Sequence, residues 1–352
     1  MYAFVGCRTT RERDARGKGL ETFHIDAHGA WHHGQTVPDL VNPSYLALGR
    51  TRDVLYVVHG DFSDVSALRI DPHDGGLTPL NRQSTEGRNP VHLVAEESGR
   101  FLIVANYATG TVALLPIEAD GAIGPVCDLL PLPGTPGPHR TEQKASHPHQ
   151  VLVDPRGRRF LLPDKGLDKV FVLAIDTGAS KLVLDDGLSV VARQGAGPRH
   201  GVFHPAEPYL YVANELDSTV TTYGYEEATA RLTPIEVIST LPASCVGTSH
   251  AGGIQISPDG RFVYVSNRGH DSVTVFAVDA QAGTLRLTGC VPAGGKKPRF
   301  ITLDPAGDIL YVANEASDAI VPFQIDRVTG ALLPGGPIIQ TGSPVCIVFS
   351  TI

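Results

Sequence analysis

The chain has 352 residues, of which 42% are hydrophobic and only 19% are charged, and it contains 38 glycines and 27 prolines. This length suits one large domain or two medium ones, and so much glycine and proline with little charge favours many turns over long helices. The net charge of −8 argues against a protein that binds nucleic acid or a membrane surface, because both of these partners attract basic proteins.

The N-terminal segment MYAFVG predicts a short apolar strand, and GLETFHID predicts another strand after a charged loop. The loop has a local excess of basic residues, with Arg8, Arg11, Arg13, Arg16 and Lys18 against Glu12 and Asp14. Charge this close to the start does not fit a signal peptide, and no stretch approaches the roughly 20 apolar residues that cross a bilayer. Five widely spaced cysteines without a CxxC argue against a disulfide framework. We therefore expect a cytoplasmic protein with no membrane or nucleic-acid partner.

Six related segments follow in chain order. They begin with VNPSYLALG, NPVHLVAEE, HPHQVLVDP, GPRHGVFHP, HAGGIQISP and KPRFITLDP. A marker position recurs every 47 to 58 residues, at Pro43, Pro90, Pro148, Pro198, Ala251 and Pro298. Each unit reads as an apolar strand, a turn such as SPDG, a second apolar strand, an alternating third strand and a weaker fourth strand. Four antiparallel strands in a repeat of about 50 residues are typical of a β-propeller blade, whereas parallel β-helix repeats are shorter.

The two ends of the chain complete the ring. SPVCIVFS near the C-terminus matches the first strand of a repeat, and MYAFVG and GLETFHID match the second and third strands. Six whole blades and one split blade predict an all-β, seven-bladed β-propeller with four antiparallel strands in each blade. We expect one domain over residues 1–352, with blade seven split between about 1–37 and 340–352. Sharing that blade between the N- and C-terminal strands closes the ring and removes the exposed sheet edge.

This topology places polar residues of different blades at one rim of the central channel. The start of strand one and the end of strand two lie on the same face of a propeller, and the turn between them lies on the other. The predicted rim residues include Tyr45, His59, His92, Tyr107, His147, His149, Asp164, Lys165, Arg199, His200, Glu215, His250, Arg268, Arg299 and Glu315. Two long loops reach the same rim, the N-terminal loop with Arg8 and the segment Asp128–Ser146. The basic residues there would attract a small anion.

Residues that differ between blades are the better functional candidates. The residue that recurs is an asparagine after strand two, at Asn106, Asn214, Asn267 and Asn314, which favours a structural turn. The residues that differ at equivalent edges are His149, Arg199, Glu215 and Arg268. A zinc site made of His147, His149 and Glu215 is an alternative, but the nearby arginines would repel a cation. We therefore expect no metal and no cofactor.

Several motifs resemble those of the seven-bladed propeller lactonases. They are HPHQV, GAGPRH, YVANEL, SPDGRFVYVSNRGHDSV and KPRFITLDP with LYVANE, and the resemblance covers essentially the whole chain. That family includes bacterial propeller-type 6-phosphogluconolactonases and fungal 3-carboxymuconate lactonizing enzymes. The resemblance implies a metal-independent site at His149, Arg199, Glu215 and Arg268. Blade three departs from the repeat with LLPDKG, and the basic N-terminal loop is longer than the family leads us to expect.

The sequence thus predicts an enzyme that hydrolyses a small anionic sugar-acid lactone, such as 6-phosphogluconolactone or an aldonate or aldarate lactone. Glu215 or His149 would activate a water, and Arg199 and Arg268 would hold the carboxylate or oxyanion. The predicted substrate-binding residues are His147, His200, Tyr107, Asp164, Arg8, Arg299 and Glu315. The alternatives are a cycloisomerase that closes a carboxymuconate to a lactone and a non-catalytic propeller scaffold. We expect a monomer or a weak homo-oligomer, and the lactone itself stays open.

Overall fold

Seven antiparallel sheets follow one another around a central channel in the computed structural model, which describes residues 1–351. The first strands are β1 (Tyr2–Cys7), β2 (Leu20–Ile25) and β3 (Trp31–Val37). Blade one contains β4 (Pro43–Leu48), β5 (Val54–His59), β6 (Asp64–Ile70) and β7 (Leu77–Ser84). Blade two contains β8 (Pro90–Ala95), β9 (Phe101–Asn106), β10 (Thr111–Pro116) and β11 (Asp128–Pro131). Blade three contains β12 (Leu152–Val153), β13 (Phe160–Asp164), β14 (Lys169–Asp176), β15 (Lys181–Leu184) and β16 (Val190–Val191).

The second half of the chain repeats this plan. Blade four contains β17 (Pro198–Phe203), β18 (Tyr209–Asn214), β19 (Thr219–Glu226) and β20 (Arg231–Ser239). Blade five contains β21 (His250–Ile256), β22 (Phe262–Arg268), β23 (Ser272–Val278) and β24 (Leu285–Pro292). Blade six contains β25 (Pro298–Leu303), β26 (Ile309–Asn314), β27 (Ala319–Ile325), β28 (Leu332–Pro334) and β29 (Ile339–Gln340). The last strand is β30 (Pro344–Ser350), and two short 3-10 turns lie at Arg11–Arg13 and Glu315–Ser317.

The termini share one blade, as the sequence predicts. Strand β30 pairs antiparallel with β1, with Tyr2 opposite Ser350, and the sheet continues through β2 to β3. The seven-bladed all-β propeller is therefore confirmed. In blades three and six the outer strand is interrupted, because β15 and β16 both pair with β14 and β28 and β29 both pair with β27.

The core consists of seven apolar clusters, and each cluster lies between two neighbouring blades. Strand two of each blade supplies side chains to both of its neighbours, because successive residues of a strand point to opposite faces. In β9, Ile103 packs toward blade three and Leu102 packs toward blade one. Buried on both faces, strand two therefore reads as a continuous apolar run in the sequence. The cluster around Phe4 and Leu55 joins blade seven to blade one and closes the ring.

The recurring polar residues have the structural roles that their repetition predicts. Asn106, Asn214, Asn267 and Asn314 are fully buried. The Nδ2 of Asn267 donates to the Thr240 carbonyl oxygen at 3.1 Å, and this bond ties strand two to the loop behind it. On the opposite face, Asp154 Oδ1 accepts hydrogen bonds from two backbone amides of its turn, at 2.7 and 2.8 Å. These residues hold turns and leave the rim to other side chains.

The structure shortens one predicted loop. Asp128–Pro131 forms β11, the outer strand of blade two, so the long segment that reaches the rim begins after Pro131. All five cysteines are free. None of the helical segments within residues 1–351 is long and apolar enough to span a membrane.

Candidate active site

A cavity of about 260 Å³ opens at the rim where strand one begins and strand two ends. Its lining residues are Arg8, Arg13, Asn89, Val91, Tyr107, Glu142, His149, Lys165, Glu215, Arg268, Lys297 and Arg299. Six of these side chains are cationic and two are carboxylates, so the cavity is basic although the protein as a whole is acidic. Low-dielectric walls lined by one sign of charge focus the field and concentrate small anions.

Two structural positions in every blade build this rim. One is the residue that ends strand two or directly follows it, and the seven equivalents are Arg8, Gly60, Tyr107, Lys165, Glu215, Arg268 and Glu315. The other is a β-bulge near the start of strand one. In β17 and β25 the bulged residues are Arg199 and Arg299. A bulge leaves one residue outside the ladder and re-aims its side chain.

Glu215 is the centre of the charged network. Its Oε2 accepts from Arg199 Nε at 2.9 Å and lies 2.8 Å from a terminal nitrogen of Arg268, while its Oε1 accepts from Lys165 Nζ at 3.1 Å. Burial opposes ionisation of this carboxyl, but Arg268, Lys165 and Arg199 outweigh it and hold the pKa of Glu215 well below its ordinary value. Glu215 is therefore a fixed anion that positions three cations from three blades.

Arg199 lies beneath Glu215 and does not line the cavity. Its side chain is 2% exposed, and a terminal nitrogen donates to the Gly252 carbonyl oxygen at 2.6 Å. Gly197 begins the turn into β17, where its φ of +66° lies in the left-handed region and a Cβ would meet Leu216 at 2.6 Å. In the structure Arg199 holds Glu215 from below, and its expected direct contact with an oxyanion stays a prediction.

His149 brings a neutral imidazole to the cavity. It lies in the irregular stretch before β12, where its backbone amide donates to the Pro163 carbonyl oxygen at 3.0 Å. Burial and the nearby Arg199 lower the pKa of His149 well below its ordinary value, so the ring is neutral at pH 7. Its Nδ1 is fully buried and has no hydrogen-bond partner among the described residues, whereas Nε2 keeps access to the cavity.

His200 occupies a different compartment from the one that the sequence predicts. It follows Arg199 directly, but the bulge separates the two side chains and His200 lines the central channel. The channel cavity has a volume of about 610 Å³. The structure places the His200 side chain at the channel, because a one-residue shift in a strand moves a side chain to the other side, and the expected substrate contact of His200 stays a prediction.

Blade three and the long loop supply a second charged pair. Lys165 Nζ donates to Glu142 Oε2 at 2.8 Å and lies 5.3 Å from the centroid of the Tyr107 ring. His147 stacks on the other side of Tyr107 at 4.4 Å, and its Nδ1 is 2.8 Å from the Tyr107 carbonyl oxygen. His147 thus supports Tyr107 and does not itself line the cavity.

Two further predicted binding residues lie below the cavity surface. Asp164 is fully buried, and its Oδ1 accepts from the backbone amides of His147, Gly166 and Leu167 at 2.8 to 3.0 Å. Its Oδ2 accepts from Ser146 Oγ at 2.5 Å, so Asp164 organises the turn in this structure, and its expected substrate contact stays a prediction. Glu315 is 5% exposed and does not line the cavity, and its Oε1 lies 3.2 Å from Lys297 Nζ.

The N-terminal loop closes the remaining side of the cavity. Arg13 Nε donates to Asp61 Oδ2 at 2.8 Å, and a terminal nitrogen of Arg8 donates to the same oxygen at 3.2 Å. Arg299 lies near both arginines, but it has no hydrogen bond or ion pair within residues 1–351. Arg299 is therefore the cation of this cavity that is free to bind an anionic ligand.

Sequence reasoning missed four charged lining residues as binding candidates, namely Arg13, Glu142, Lys165 and Lys297. A signal for Lys165 was present, because it occupies the position of Glu215 in the departing motif LLPDKG. Glu142 carries no such signal, since its position depends on how the long loop folds back. The alternative zinc set of His147, His149 and Glu215 is not assembled, and no cluster of three potential metal ligands occurs within the described residues.

Comparison with known proteins agrees with this architecture. The model of the family described as lactonase, 7-bladed beta-propeller, matches residues 2–349. The 6-phosphogluconolactonase of Bacillus subtilis is 33% identical over 303 residues, which cover 85% of this chain and 84% of that protein. The 6-phosphogluconolactonase of Formosa agariphila is 31% identical and covers 84% of each chain. The solved periplasmic gluconolactonase of Pseudomonas aeruginosa has a TM-score of 0.89 and 30% identity, covering 99% of this chain and 98% of its own. The chain therefore belongs to the seven-bladed β-propeller lactonase family.

Proposed function

We propose that the protein hydrolyses a small sugar-acid lactone that carries a second anionic group, with His149 as the general base. The observation that carries the proposal is a neutral imidazole beside a carboxylate-anchored set of cations in a basic cavity. The relatives named 6-phosphogluconolactonase and gluconolactonase support the ester chemistry.

The geometry favours His149 over Glu215 as the base. Both oxygens of Glu215 are held by cations, Oε1 by Lys165 and Oε2 by Arg199 and Arg268, so neither oxygen is free to accept a proton from water. His149 is neutral, and its Nε2 borders the cavity without a hydrogen-bond partner among the described residues, so it can accept a proton from a water there. A positioned base contributes roughly 10²–10⁴-fold to the rate.

Arg268 and Lys165 supply the charge that the transition state needs. Both side chains line the cavity, and both are fixed by Glu215, so their N–H groups are oriented before the substrate arrives. Donors of this kind stabilise the oxyanion that develops when water attacks a lactone carbonyl, and each is worth roughly 10²–10³-fold. The planar Arg299, free of protein partners among the described residues, would hold the carboxylate or phosphate of the substrate bidentately.

The test is a hydrolysis screen that reads proton release from 6-phosphogluconolactone, gluconolactone and an aldarolactone. We expect His149→Gln to lower kcat by roughly 10²-fold or more. The matched control is His204→Gln, another buried histidine, whose Nδ1 accepts from the backbone amide of Glu207 in the turn on the opposite face. That variant should hydrolyse the lactone at close to the wild-type rate.

Three results would decide against the proposal. The first is a kcat of His149→Gln equal to that of the wild type, and the second is a wild-type protein that hydrolyses none of the three lactones. A wild-type protein that instead consumes a carboxymuconate, seen as loss of ultraviolet absorbance, would establish the cycloisomerase. The predicted cytoplasmic location stays a prediction, because the relative from Pseudomonas aeruginosa is described as periplasmic.

A further inference from the structure

A layer of aromatic and imidazole rings separates the rim cavity from the central channel. The rings of Tyr45, His92, His149 and His200 form this layer. His149 lines the rim cavity and His200 lines the channel cavity, and their ring centroids are 5.1 Å apart at an interplanar angle of 68°. These two neighbouring histidines therefore form a contact between the two cavities that consists of titratable side chains.

The buried nitrogens of this pair have no other partner. His149 Nδ1 and His200 Nε2 are both fully buried and lack a hydrogen bond within residues 1–351. The two outer nitrogens, His149 Nε2 and His200 Nδ1, are not buried in this way, and each ring borders its own cavity. A straight N–H···N hydrogen bond of about 2.9 Å between two imidazoles places the ring centroids roughly 5 Å apart. The two buried nitrogens are not hydrogen-bonded to each other in the structure, so proton transfer between them requires rotation about χ2, a broad torsion in histidine, to align them.

The channel offers a way out on the far side of the disc. Its lining includes the polar side chains of Gln150 and Gln255, and it extends to Arg52 and Pro305. Arg52 and Pro305 belong to turns between strands one and two, which lie on the face opposite the active site. A polar cavity of about 610 Å³ has room for many waters, because one water occupies roughly 30 Å³.

We propose that His200 is a proton-relay partner of His149, which passes the proton taken from the attacking water into the central channel. This inference rests on the proposed lactone hydrolysis. Attack by water forms the new C–O bond at the lactone carbonyl, and one water proton goes to His149 Nε2. The Nδ1 proton of His149 moves to His200 Nε2, and the Nδ1 proton of His200 moves to a channel water.

The remaining step balances the reaction. The ring C–O bond breaks, and its oxygen takes the second water proton from the hydroxyl of the tetrahedral intermediate, which leaves a carboxylate and an alcohol. One proton per turnover is therefore released. Neither imidazole carries a lasting positive charge, which suits two rings that lie near Arg199 and Arg299. The starting tautomers return by proton transfer after the product has left: His149 Nε2 gives its proton to a cavity water, His200 Nε2 returns a proton to His149 Nδ1, and a channel water reprotonates His200 Nδ1.

His200→Gln tests the relay, and His92→Gln is the matched control. His92 is an equally buried ring of the same layer, 6.0 Å from His200, but its Nδ1 accepts from the Val151 amide at 3.3 Å and so cannot pass a proton on. We expect His200→Gln to lower kcat about tenfold, less than the roughly 10²–10⁴-fold of the base itself, with KM within about twofold. His200→Ala should be partly rescued by added imidazole, which the channel can admit. A purely structural role would not respond to imidazole.

A second measurement does not depend on turnover. Nitrogen-15 NMR of histidine-labelled protein should show His149 and His200 as Nδ1–H tautomers, and His200→Gln should shift the His149 signals. The relay is overturned if His149 is the Nε2–H tautomer, if His200→Gln keeps wild-type kcat, or if His92→Gln loses as much. A wild-type protein without lactonase activity would overturn the proposed function, while the NMR tautomers would still decide whether the two rings form the proposed pair.

Discussion

We expect mild acidification to destabilise the protein steeply, because the ring layer between the rim cavity and the channel contains three buried histidines, His92, His149 and His200. Burial and Arg199 lower the pKa of His92 to about 3, and the same causes lower the pKa of His149 and of His200 well below 6.5. In the unfolded chain these rings bind a proton below about pH 6.5, whereas in the folded protein they stay neutral. The unfolded state therefore holds more protons between pH 6.5 and the folded pKa, and the free energy of unfolding falls as the pH falls through this window.

The magnitude follows from linkage alone. Between pH 6.0 and pH 5.0, each histidine that is neutral when folded and has an ordinary pKa when unfolded lowers the free energy of unfolding by about 1.2 kcal/mol. Three such histidines lower it by roughly 3–4 kcal/mol, which urea denaturation at the two pH values would resolve. His92→Gln should reduce this pH dependence by about one third, whatever its effect on stability at pH 7. A free energy of unfolding that changes by less than about 1 kcal/mol, or a slope that His92→Gln leaves unchanged, would refute the reasoning.

Three other substitutions probe the site and its frame. Glu215→Gln removes the counter-charge of three buried cations, so we expect a loss of about 3–5 kcal/mol in the free energy of unfolding; an unchanged urea midpoint would contradict the network. Asp61→Asn releases Arg8 and Arg13 and should raise KM about two- to fivefold with kcat nearly unchanged, since partly exposed ion pairs are worth up to about 1 kcal/mol. Asn267→Ala leaves the buried Thr240 carbonyl oxygen without this donor and should cost about 1–3 kcal/mol of stability in urea denaturation, whereas an effect below 0.5 kcal/mol would exclude that role.

Much of the site could be predicted because it repeats. Glu215 directly follows strand two of its blade and Arg268 ends strand two of the next, and this position faces the rim in every blade. Lys165 occupies the same position, so the same rule places it at the rim. Glu142 could not, because its loop has no counterpart in other blades. The loop that carries Glu142 is held beside Lys165 by its neighbour Gln143, whose Nε2 donates to the Lys165 carbonyl oxygen at 2.8 Å and to Asp168 Oδ1 at 2.7 Å.

The amino-acid sequence by itself determined the repeat, the number of blades and the sharing of blade seven by the two termini. These features depend on local strand periodicity and turn chemistry, which are written in consecutive residues. Only the tertiary structure decided that Arg199 lies under Glu215 while its neighbour His200 faces the channel. The reason is the bulge in β17, where one residue leaves the ladder and the alternation of the side chains is shifted. The choice of His149 as the base also required the folded structure, because three blades together set the charge around Glu215.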